Sequence, residues 1–125
     1  MGDRGNIVIR DQYTEGGEVY FYAHWNGSNL AETVQAALAR KQRWNDGPYL
    51  ARIIFCELVK GDEDGETGYG ISCGLCDNGH ALLVVDMKTS TVYWAGEGDT
   101  AKAITEPQTF AEFVESPTPE PSREY

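Results

Sequence analysis

The residues best suited to chemistry lie where an apolar segment, residues 19–24, runs into Trp25, Asn26, Gly27, Ser28 and Asn29. A helix beginning just beyond them presents unpaired N–H groups and partial positive charge, an ordinary receptor for phosphate or carboxylate. The expected ligand-binding set is therefore His24, Trp25, Asn26, Gly27, Ser28 and Asn29. In it the amides of Ser28, Asn29 and Leu30 hold the anion, Gly27 permits the tight turn, and Trp25 offers a ring for stacking. In a strand, Tyr20, Tyr22 and His24 share one face and Val19, Phe21 and Ala23 the other. The second set suits a core, so the first faces a groove or solvent. The competing reading is structural, with His24 bridging the turn and Trp25 filling the edge of the core.

Other constellations are weaker. Cys73 and Cys76 with His80 suggest zinc, but a structural zinc site needs a second pair of ligands. Cys56 and His24 would have to supply it, and residues three apart on a strand point to opposite faces. No metal is expected, and the two thiols read as ordinary strand residues. The run Asp62, Glu63, Asp64, Gly65 and Glu66 lacks the spacing of a calcium loop, with glycine at the fourth position and Cys73 at the twelfth. No nucleophile elbow, phosphate-binding loop or zinc-protease helix is present. No catalytic residue and no cofactor is assigned; a histidine base, if there is one, is His24 or His80.

The formal net charge of −10 over 125 residues argues against direct binding to duplex nucleic acid, which requires a basic stripe. It favours basic partners instead. The one basic cluster, Arg40, Lys41 and Arg43, reads first as helix-end electrostatics and second as a contact patch. No apolar run approaches the roughly 20 residues of a membrane span. The first six residues lack the apolar core of a signal peptide, and an odd cysteine count fits reduced thiols. A cytoplasmic protein is expected.

The elements that must position these groups follow from periodicity. Strands are expected at residues 7–10, 19–24, 69–75, 81–86 and 91–95, with turns at Glu15 to Glu18, at Asp77 to Gly79 and at Lys88 to Ser90. A first helix, capped by Asn29 with Glu32, places Leu30, Val34, Ala37 and Leu38 inside and Glu32, Gln35 and Arg40 outside. A second, residues 49–60, carries Leu50, Ile53, Ile54 and Leu58, with Phe55, Cys56 and Val59 widening the apolar arc, and reads as the central helix. A short third begins at Thr109, boxed by Glu112. The order ββ-αα-βββ-α predicts an α+β fold: an antiparallel sheet of about five strands with helices packed on one face. Residues 1–115 form one domain and 116–125 a proline-rich polar tail.

Several blocks carry a resemblance. The opening Met1-Gly2-Asp3-Arg4-Gly5-Asn6-Ile7, the block His24 to Ser28, and Arg43-Trp44-Asn45-Asp46 followed by Tyr49 to Glu57 resemble a group of small uncharacterised bacterial and phage proteins. Residues 65–72 belong to the same likeness, which spans about residues 1–95. It implies a phage or prophage setting and carries no catalytic residues with it. Together with the acidic balance it predicts a non-catalytic binding protein that blocks a host protein or sequesters a small anionic ligand. The alternative is a small hydrolase or nucleotide-processing enzyme using His24.

Overall fold

A six-stranded sheet with three helices is formed by residues 2–117, the part of the chain that the computed structural model describes. Strand β1 (Gly5–Arg10) lies inside the sheet, antiparallel to β2 (Glu18–Ala23) and parallel to β4 (Leu82–Asp86). Strand β3 (Tyr69–Ser72) adds antiparallel to β2 at one edge. Strand β5 (Thr91–Ala95) adds antiparallel to β4, and the two-residue β6 (Gln108–Thr109) closes the other edge. The order is β3-β2-β1-β4-β5-β6.

Strands covered on both faces read as continuous apolar runs rather than alternating ones, and β1 and β4 do so. One face, with Ile7, Ile9, Phe21, Ala23, Leu83, Val85, Val92 and Trp94, meets the helices. The other buries Val8, Tyr20, Leu82, Val84, Tyr93 and Ala95 under Leu75 and Ala103, which belong to connections.

The sheet differs from the expected one in two respects: it has a sixth strand, and one of its pairs is parallel. Residues 77–79 do not turn a hairpin between β3 and β4. They lie in a crossover that docks on the start of β1, where Asn6 Nδ2 donates to the Asp77 carbonyl at 2.8 Å and the Gly79 N–H donates to the Arg4 carbonyl at 2.9 Å. The two strands thereby reach opposite sides of the β1–β2 pair. Strand β6 is too short to display a period of two.

Helix α1 (Leu30–Leu38) buries Leu30, Ala31, Val34, Ala37 and Leu38. It packs against both α2 (Gly47–Leu58) and α3 (Phe110–Glu115), so α1 rather than α2 is the middle helix. Gln35 does not simply face outward; its side chain donates to the carbonyls of Phe113 and Ser116, both at 3.0 Å, tying α1 to the end of α3. Helix α2 buries Leu50, Ile53, Ile54 and Leu58, while Phe55 meets Phe21 at 5.1 Å and Cys56 is exposed. Its N-terminus is capped by Asp46, with Pro48 in the first turn, where its missing N–H costs nothing. The reciprocal box of Thr109 and Glu112 opens α3. No such box opens α1, where the Asn29 side chain makes no capping bond and a 3-10 turn (Gly27–Asn29) feeds the helix. Residues 118–125 of the expected tail lie outside the described residues. Among those described, no helix is long and apolar enough to cross a membrane.

Candidate functional site

The junction after β2 is built by two segments distant in sequence. Residues 2–5 thread alongside residues 24–28: the Asp3 N–H donates to the His24 carbonyl at 2.7 Å, and the Gly27 N–H donates to the Asp3 carbonyl at 2.7 Å. Gly27 is a requirement of that crossing. A Cβ on it would stand 2.6 Å from both the Arg4 carbonyl carbon and the Asp3 carbonyl oxygen, closer than atoms pack. The blocks around Asp3 and around His24, separate in the sequence, form one site.

Asp3 supplies the anion that the start of α1 invites. Its Oδ2 accepts from the Ser28 hydroxyl at 2.5 Å and from the Ser28 N–H at 3.1 Å; its Oδ1 accepts from His80 Nε2 at 2.6 Å. Burial pushes the Asp3 carboxyl up, but the bonds from the Ser28 hydroxyl, His80 and the Ser28 amide, with the His80 charge, outweigh it. They hold the group below its ordinary value. Serine, histidine and aspartate thus meet, though not as a nucleophilic triad. A triad needs histidine between serine and carboxylate so that the imidazole takes the hydroxyl proton. Here the carboxylate is in the middle, and the Ser28 hydroxyl donates to it.

The six residues named from the sequence do come together. Gly27 is buried, His24 and Asn26 are half-buried, and Ser28 and Asn29 are exposed. Two of the three amides expected to hold an anion have partners within the chain, since the Asn29 N–H donates to the Asn26 carbonyl at 2.9 Å and the Ser28 N–H serves Asp3. The Asn26 Oδ1 is buried and accepts no bond. His24 Nδ1 lies 2.6 Å from the Tyr22 hydroxyl, on the sheet face away from the helices, as the strand alternation requires. Trp25 stands edge-on to the His24 ring, with centroids 5.2 Å apart, and is 56% exposed. Its ring lies against Gly68, where φ is +107° and a Cβ would be 2.5 Å from the indole. Only glycine satisfies both demands.

The sequence offers His80 as a candidate base or zinc ligand, but its pairing with Asp3, 77 positions away, is not legible there, because only the crossover of residues 73–81 brings the two together. A second polar group, beneath the sheet, is not legible there either. Arg10 pairs with Asp86 at 2.7 Å and with Glu18 at 3.5 Å, while the Tyr93 hydroxyl lies 3.0 Å from Asp86 and 2.8 Å from the Thr100 carbonyl, either of which can take its one proton. The Thr100 hydroxyl donates to Glu18, and so does the Tyr20 hydroxyl, at 2.9 Å. Burial, then the neighbouring carboxylates, pushes Tyr20 and Tyr93 up to about 12. For Arg10, burial opposes the charge, but contacts with Tyr93 and Asp86 outweigh it and raise the value. These contacts brace β1, β2, β4 and β5, with the buried Arg10 Nε near Glu18 but making no hydrogen bond.

Cys56, Cys73 and Cys76 are free and exposed, and among the described residues no three His, Cys, Asp or Glu side chains converge in a way that could hold a metal. The basic cluster lies beyond the end of α1, in the connection to α2, so it does not complement that helix's last turn. The fold and site define an α+β protein with an open mixed sheet and an aromatic–histidine junction at the start of a helix. The chain matches no family model, no curated protein and no solved structure to which it was compared.

Proposed function

We propose that this is a small acidic binding protein that acts without catalysis, occupying a host protein through the junction that carries Trp25. The observation that carries the reading is the Asp3 carboxylate, which already occupies Ser28 and His80. With those groups already engaged by Asp3, the exposed indole of Trp25 is what the junction offers a partner. Exposed tryptophans are over-represented among the residues that dominate binding energy at interfaces. The charge of −10 supports a basic partner, reached by electrostatic steering. Blocking a protein is favoured over sequestering a small anion at this place, because Asp3 would have to be displaced first. The phage or prophage setting implied by the sequence resemblance makes a protein of the bacterial cytosol the natural target. A pull-down from bacterial lysate with mass spectrometry, run beside a search for co-purifying small molecules, tests the reading. A retained protein supports it, and a retained small molecule alone contradicts it.

A second reading, a small hydrolase or nucleotide-processing enzyme, is supported by the 2.6 Å contact of Tyr22 with His24, which fixes the imidazole as a general base requires. Turnover of ester or nucleotide substrates that disappears in His24→Ala would establish it. The absence of turnover across such a panel leaves the binding reading in place.

A further inference from the structure

Three of the four cations that no carboxylate neutralises among the described residues lie in the α1–α2 connection or on α2 beside it. Arg4, Arg10, Arg40, Lys60 and Lys88 each pair with a carboxylate. Among the described residues Lys41, Arg43, Arg52 and Lys102 have no such partner, and the first three flank two adjoining grooves. One groove, of about 440 Å³, is lined by Arg40, Gln42, Arg43, Arg52 and Ile53. The next, of about 510 Å³, shares Arg43 and adds Lys41, Trp44, Asn45 and Asp46.

The backbone is committed to this arrangement. Lys41 and Arg43 both sit at φ +57°, the left-handed region that non-glycine residues seldom occupy. Arg43 is further held with its guanidinium 4.5 Å above the exposed Tyr49 ring. Such strain persists only where surrounding structure over-determines it, and it concentrates at ligand clamps. The carboxylates nearby are engaged: Glu57 takes Arg40 at 2.6 Å, and Asp46 caps α2. Arg43 and Arg52 are left with guanidinium donors suited to bidentate contact with phosphate oxygens.

We infer that this groove binds a compact phosphate-bearing small molecule with adjacent phosphates, gripped by Arg43 and Arg52 and flanked by Arg40 and Lys41. A compact anion needs only charges within a Debye length, about 8 Å at physiological salt. A long polyanion would also meet the field of a chain carrying −10, so nucleic acid is disfavoured. The site is separate from the Trp25 junction and does not depend on its role.

Pyrophosphate is the probe. Calorimetric titration should give saturable binding of one pyrophosphate per chain, with amide chemical-shift changes confined to residues 40–53. Arg43→Ala and Arg52→Ala should each weaken it by about tenfold or more, in keeping with the loss of a charge-assisted pair. Lys102→Ala, removing an unpaired cation elsewhere, should change nothing. Both arginines lie on the surface, and the fold of each variant is checked by its amide spectrum. The inference is overturned by absence of saturation at millimolar pyrophosphate, by shifts that map elsewhere, or by indifference to the arginine variants. It is equally overturned if a thymidine oligonucleotide binds the same residues more tightly than pyrophosphate.

Discussion

Asp3 Oδ2 accepts both the hydroxyl and the backbone N–H of Ser28, at 2.5 and 3.1 Å, so the chain's own N-terminal segment supplies the anion at the start of α1. The N–H that Asp3 satisfies belongs to the 3-10 turn that feeds α1, 25 positions later, while the Asn29 side chain makes no capping bond.

Replacing that carboxylate should weaken the fold in a pH-dependent way. Asp3→Asn is expected to cost about 1 kcal/mol, the usual scale of a lost helix-start partner. Because the folded-state pKa is lowered, the carboxylate's contribution is fully present above the ordinary aspartate value, about 3.9, and is lost as pH falls below it. The difference in Tm between native protein and Asp3→Asn should therefore shrink between pH 6 and pH 3. An unchanged difference would show that the charge at Asp3 plays no part.

Two of the seven tyrosines should titrate late. Tyr20 and Tyr93 are raised to about 12, so in an absorbance titration they ionise well above the ordinary tyrosine value of about 10. Raised folded-state values mean that their stabilising contribution is complete below about pH 10 and is lost as pH climbs through 12. Tyr93→Phe should remove one late-titrating group. A titration with no late phase, unchanged by Tyr93→Phe apart from the loss of one group at about pH 10, would contradict the packing beneath the sheet.

Gly27→Ala should be the most damaging of the glycine substitutions at the junction. Its Cβ would meet backbone atoms at 2.6 Å, and backbone cannot swing aside as a side chain can. A loss of about 3 kcal/mol is expected, the upper end of overpacking costs. Gly70→Ala, with nothing within 4 Å of its Cβ, should stay within about 0.5 kcal/mol of the native protein. Equal effects of the two by denaturant unfolding would argue against the crossing of residues 2–5 over residue 27.

Ile54→Ala should cost about 2 to 5 kcal/mol, because Ile54 is wholly buried between α2 and the rest of the core. Cys56→Ser, two residues on and exposed, should leave the unfolding midpoint nearly unchanged. A large effect at Cys56 with none at Ile54 would mean that α2 is rotated about its axis.

The sequence carried the local structure further than the pairing. Leu30, Val34, Ala37, Leu38, Leu50, Ile53, Ile54 and Leu58 are all buried, because a 3.6-residue period states directly which side of a helix is apolar. Thr109 with Glu112 was legible for a similar reason, since capping is a contact over three residues. The parallel β1–β4 pair was not, because Asp77-Asn78-Gly79 reads as a hairpin turn whether or not its flanking strands pair. At the junction, His24 to Asn29 were recognisable from their types, whereas Asp3 and His80 meet only through that crossover. The partners that occupy the site are those that local pattern cannot reveal.

If Trp25 is the contact through which the protein holds another protein, removing its indole should release that partner. The most direct measurement compares what the native protein and Trp25→Ala retain from the same bacterial lysate, with Tm recorded for both. The indole is 56% exposed, so the variant should stay folded with Tm within a few degrees. A single protein retained in near-stoichiometric amount by the native chain, and reduced about tenfold or more with Trp25→Ala, is the predicted result. Equal retention by both, or no protein retained by either, would mean that Trp25 is not a protein contact.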